Sequence, residues 1–206
     1  MEVIEKDRLA LVQEALSKGK EYQQYREMVH ALAQEGKATG TDQSEARIDF
    51  TQLNDRRMHR WEKTFKLPED AREQLSNLGS ELVFLVLTES WCGDAAASLP
   101  IMDKIAGEAK NIDLRIILRD ENLELMDAFL TNGSRSIPKL IVLDKNKDQI
   151  VGEWGPRPSM ATEMVEAFKA AHGKLTDEFK QDLQVWYNKD KGQNILSDIL
   201  QLLALE

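Results

Sequence analysis

Cys92 is the single cysteine in the 206-residue chain, and it stands in TESWCGDAAASLP. The preceding LVFLVLT, residues 82–88, is an unbroken apolar run of strand length, as expected for a strand buried on both faces. A helix follows from Ala95 to Lys110, with Leu99, Met102, Ile105 and Ala109 on one side. A thiol at this corner meets the unpaired N–H groups and positive dipole end of the helix, which favour the thiolate, the competent nucleophile. The other reading of Cys92 is a small apolar filler. Asp94 in the first turn suits the helix but disfavours an adjacent thiolate, and Glu89 adds negative charge.

Other chemistries find no support. His30, His59 and His172 have no ligand spacing with one another or with Cys92, so neither a metal nor a cofactor is expected. There is no Gly-rich phosphate loop and no GxSxG elbow. Asn132-Gly133-Ser134 reads as a turn. With 27 Lys and Arg against 36 Asp and Glu the net charge is −9, which argues against nucleic acid or an anionic membrane as partner. No apolar run approaches the roughly 20 residues of a membrane span, and MEVIEKDRLALVQEALSKGK is too acidic for a signal peptide. A single cysteine permits no disulfide within the chain, and a cytoplasmic location is expected.

The elements that must position Cys92 follow from periodicity. Leu9, Val12 and Leu16, then Tyr22, Tyr25, Val29 and Leu32, mark two amphipathic helices. Glu35 to Arg47 reads as an exposed loop. A third helix places Phe50, Leu53, Met58, Trp61 and Phe65 on one face, and Pro68-Glu69-Asp70 starts a fourth. Residues 112–118 alternate as a strand, which makes a βαβ unit with a parallel pair. Leu123, Met126 and Leu130 mark a further helix. Strands Lys139 to Leu143 and Gln149 to Trp154 flank the polar turn DKNKD, and Pro156 and Pro158 open a helix that runs through Met160, Met164 and Phe168 to Gly173. Two last helices carry Phe179, Leu183, Trp186 and Tyr187, then Ile195, Ile199, Leu202 and Leu203. The expected division is a helical extension over 1–80 packed on the core, a domain over 81–173 and a C-terminal helical extension over 174–206.

Trp91-Cys92-Gly93 between strand and helix resembles the active-site corner of the thioredoxin fold. Pro100, five residues after Ala95, matches that fold's helix proline, and Ser136-Ile137-Pro138 matches the loop whose cis proline faces the redox cysteine. The resemblance covers residues 82–172. SWCGDA, LRDENLELMD, GSRSIPKLI and WGPRP are also similar to a subgroup of bacterial thioredoxin-like proteins with WCGDA in place of WCGPC. It implies an α/β thioredoxin-like fold, a mixed sheet of four strands flanked by helices, and a groove formed by Trp91, Gly93, Asp94, Ile137 and Pro138. Ile137 would there pair its backbone with an extended peptide or a peptide-like thiol such as glutathione. Trp154 and Arg157 either line this groove or form an apolar lid and a helix start. Arg119 and Asp120 read as an ordinary salt bridge.

Two departures stand out. Ala95 occupies the position of the resolving cysteine, and Val86 that of the buried aspartate that moves protons. CGDA also differs from the CGFS of cluster-binding monothiol glutaredoxins. Three readings follow. The first is a monothiol thiol–disulfide oxidoreductase, with Cys92 acting on a protein or low-molecular-weight disulfide and an external thiol resolving it. The second is a non-catalytic binding module for a protein or peptide, and the third a redox switch through a Cys92–Cys92 dimer.

Overall fold

The computed structural model describes residues 2–203. Its centre is strand β1 (Leu82–Thr88), buried along its whole length, as the apolar run requires. β2 (Ile112–Leu118) lies parallel to β1 on one side, while β3 (Lys139–Asp144) lies antiparallel on the other and carries β4 (Gln149–Trp154) outside it. The sheet order is β2-β1-β3-β4. This is the mixed α/β architecture of the thioredoxin-like fold.

Helices α1 (Glu2–Leu16), α2 (Tyr22–Glu35), α3 (Glu45–Thr64) and α4 (Glu69–Ser76) precede the sheet. Within it come the crossover helix α5 (Gly93–Ala109), a 3₁₀ turn over Arg119–Glu121 and the short α6 (Leu123–Ala128). α7 (Ser159–His172), α8 (Asp177–Asp190) and α9 (Gln193–Leu202) close the chain. The helices before and after the sheet share one apolar cluster with it: Val12, Tyr25 and Val29 join Phe84, Leu85 and Leu99, and so do Tyr187, Ile195 and Ile199. Full burial of each aliphatic side chain in such a cluster contributes about 1.5–3 kcal/mol.

The β2 edge is covered: Lys20, between α1 and α2, exchanges backbone hydrogen bonds with Ile116 of β2 (2.8 Å each way). On β4, Gly152 packs against the Leu202 side chain of α9.

Three local expectations change. Phe50 is 47% exposed, and the buried face of α3 is instead Thr51, Asn54, Met58 and Trp61. Polar Thr51 and Asn54 are buried because they have hydrogen-bond partners in the β1–α5 corner. The loop between α2 and α3 is shorter than its composition indicates and is anchored: Ala38 and Thr39 are buried. α6 ends at Ala128, which leaves Leu130 outside it and exposed. The turn at Asn132-Gly133 forms as read, both residues having positive φ.

Candidate functional site around Cys92

Cys92 is the N-cap of α5. The segment before it turns sharply, with the Cys92 N–H donating to the Glu89 carbonyl at 3.1 Å, and the Cys92 carbonyl accepts from Ala96 N at 3.2 Å. The Sγ–H donates to the carbonyl of Ile137 at 3.3 Å. The Ile137–Pro138 peptide is cis, and that hydrogen bond places the Ser136-Ile137-Pro138 loop against the thiol.

The thiol is only 7% exposed. Burial first, and then the Asp94 carboxylate, push its pKa from 9.0 up to about 12, while the N–H groups of Ala95 and Asp94 and the Arg157 guanidinium pull the other way.

Asp94 is buried and held at both oxygens. Arg157 Nη2 lies 2.8 Å from Oδ2, and Tyr187 of α8 donates its hydroxyl to Oδ1 at 3.1 Å. Burial pushes the Asp94 carboxyl up, against the pull of Arg157, Tyr187 and Arg57. Arg157 thus reaches the site by binding Asp94. Trp154 is buried, and its Nε1 donates to Asp198 of α9 at 3.0 Å. The same Asp198 accepts from Ser159 N and Oγ, both at 2.7 Å, and so fixes the start of α7. Gly93 lies against Arg57 of α3. Ala95, at the resolving position, is buried in the core, as is Val86 between Ile116 and Leu140.

A family model described as thioredoxin matches residues 40–170, from before α3 to near the end of α7. The chain belongs to the thioredoxin family. No curated protein matches the sequence. Among solved structures, a Pseudomonas aeruginosa protein of unknown function shares 21% identity at a TM-score of 0.59, over 94% of this chain and 95% of that one. An HIV epitope scaffold gives 20% identity and a TM-score of 0.59 over the same shares. At this identity the likeness is one of fold.

This thioredoxin-family corner is reinforced by Thr39, Thr51, Asn54 and Ser90, whose types gave no signal in the sequence, and by Glu89, Trp91 and Arg119. Ser90 Oγ accepts from Thr39 N (3.0 Å) and from the Thr39 hydroxyl (3.2 Å), and lies 2.8 Å from the Thr51 hydroxyl. Asn54 donates to the Ser90 carbonyl at 3.0 Å. Glu89 is fully buried, its carboxyl pushed up by burial, and it accepts from Asp120 N at 2.8 Å. Two guanidinium groups lie over the Trp91 ring, Arg47 at 3.9 Å and Arg119 at 5.0 Å from its centroid. Arg119 also pairs with Asp120 at 2.7 Å, and so does more than form the expected salt bridge. Tyr25 and Tyr187, whose helical spacing marked them only as core, bring phenols from α2 and α8 to the inner side of the corner.

Among the described residues no helix is long and apolar enough to cross a membrane, and no group of three or more His, Cys, Asp or Glu could hold a metal ion.

Proposed function

We propose that the protein is a monothiol thioredoxin-family protein of the WCGDA kind, working in a reducing, cytoplasmic setting, in which Cys92 exchanges with a disulfide presented beside Ile137 and Pro138. The supporting observation is the position of the thiol: N-cap of α5, 3.3 Å from the carbonyl of Ile137. The Cys92 thiolate attacks one sulfur of RS–SR′, forms Cys92–S–S–R and expels R′S⁻, the thiol proton having passed to solvent. An external thiolate R″S⁻ then attacks the mixed disulfide, leaves as RS–SR″ and returns Cys92. The second thiol must come from outside because Ala95 cannot supply it. The raised thiol makes this exchange slow until docking disturbs Asp94 or opens the site to water.

The same burial and the same raised thiol favour a second reading, in which the groove binds an extended segment without turnover. Alkylation as a function of pH, together with trapping of mixed disulfides from cell extract, separates the two. Exchange predicts capture of adducts at Cys92 and loss of thiol-exchange activity in Cys92→Ser. If no adduct is captured and the serine variant exchanges at the same rate, the exchange reading is wrong.

A further inference from the structure

We infer that the Cys92 groove selects ligands that carry a carboxylate or a similar anion close to the reacting sulfur, and that Arg57 is the residue that recognises it. The inference rests on the groove reading above and names its substrate class.

Arg57 comes from α3, and its Nη1 lies 3.4 Å from where a Cβ on Gly93 would stand. The guanidinium therefore sits beside the residue next to the thiol. Its hydrogen bond runs to a neutral acceptor, Asn54 Oδ1, at 3.3 Å. Among the described residues no carboxylate forms an ion pair with it. The other arginines of the corner each pair with a carboxylate: Arg47 with Asp42 (2.7 Å), Arg119 with Asp120 (2.7 Å) and Arg157 with Asp94 (2.8 Å). Asp94 is the carboxylate whose charge reaches Arg57, but Arg157 and Tyr187 already engage both of its oxygens. Burial, together with the positive charges of Arg60 and Arg56, disfavours the charged form of Arg57. An external anion would relieve all three at once.

Further donors of the corner also lack acceptors. Trp91 Nε1, Arg47 Nη1 and Arg157 Nε are buried without hydrogen-bond partners, against one such acceptor, Glu89 Oε2. Unpaired donors thus outnumber unpaired acceptors there, which suits an acceptor-rich ligand. The chain carries a net charge of −9, so an acidic partner is repelled elsewhere and admitted where unopposed arginine stands. A small thiol bearing carboxylates and an acidic peptide segment share this chemistry.

The test uses two aromatic disulfides, dianionic 5,5′-dithiobis(2-nitrobenzoate) and neutral 2,2′-dithiodipyridine, on the full chain. Each forms Cys92–S–S–aryl and releases one chromophore read by absorbance, thionitrobenzoate from the first and pyridine-2-thione, which takes up the proton, from the second. The ratio of the anionic to the neutral rate is expected to fall about five- to tenfold in Arg57→Gln, with Arg57→Lys between the two. An unchanged ratio in a folded Arg57→Gln variant overturns the inference. A second readout does not need the thiol: the Arg57 Nε–H resonance, assigned by its loss in Arg57→Gln, should move on titration with glutarate. If neither reagent modifies Cys92 in the folded protein, the exchange reading fails, and the inference is then decided by glutarate alone, with no movement overturning it. Competition between an acidic hexapeptide and glutarate tells the two ligand sources apart.

Discussion

Replacing Asp94 with asparagine removes one charge beside the thiol and keeps the shape. Cys92 at about 12, against an ordinary 9.0, has about a thousandfold less thiolate than a free cysteine at the same pH. Burial is the larger cause and Asp94 the next, so removing the carboxylate takes away the second cause and leaves the first. In Asp94→Asn the amide oxygen still accepts from Tyr187, and Arg157, no longer neutralised, adds its pull toward the thiolate. Alkylation by iodoacetamide at about pH 8 should therefore accelerate about ten- to thirtyfold, with the inflection of the pH profile moving below its wild-type value. The cost in stability is about 1–3 kcal/mol, because the Arg157 ion pair is lost. A variant with native circular dichroism and an unchanged or slower rate would show that the Asp94 charge is not felt at Sγ.

Arg157→Gln should act in the opposite direction, slowing alkylation, since it removes the cation that favours the thiolate and leaves Asp94 to oppose it; faster alkylation would contradict the arrangement. Ser90→Ala removes the hydroxyl that accepts from Thr39 and bonds Thr51, and should lower the urea-unfolding free energy by about 2–3 kcal/mol. A loss below about 0.5 kcal/mol would mean that this network does not anchor α3 to the corner. Glu153→Gln leaves the buried Lys139 ammonium, 2.8 Å from that carboxylate, with the Thr131 hydroxyl, and should cost about 3 kcal/mol by the same measurement. Burial raises the Glu153 carboxyl, but Lys139 and Arg8 outweigh it and hold it below 4.5. Its contribution is therefore full above that value and lost as the pH falls through the lower native one, and a wild-type minus variant difference that grew on acidification would refute this. At Gly155, where φ is 110° and a Cβ would run into the Pro138 carbonyl oxygen, alanine should abolish folding or cost more than about 3 kcal/mol in thermal unfolding.

Much of the fold was legible because its signals are local. The apolar run at 82–88, the alternation at 112–118 and the βαβ spacing required a strand, a crossover helix and a parallel partner before any contact was known. The corner at Cys92 could be read for the same reason, and the loop at Ile137-Pro138 through its resemblance to the thioredoxin fold. Phe50 misled because apolar type and helical spacing outweighed two polar residues, Thr51 and Asn54, whose burial depends on Ser90 at 39 and 36 positions' distance.

The sequence alone determined that there is one thiol, that it stands where a β-strand turns into a helix, and that Ala95 and Val86 cannot resolve or deprotonate it. Those statements depend only on residue type and short spacing. Only the tertiary structure decided how that thiol is tuned. Arg157 and Tyr187 reach Asp94 from 63 and 93 residues away, and Arg57 reaches Gly93 from the opposite direction along the chain. Burial, unpaired donors and the balance of charges at Sγ depend on distance through space, which residue order does not carry.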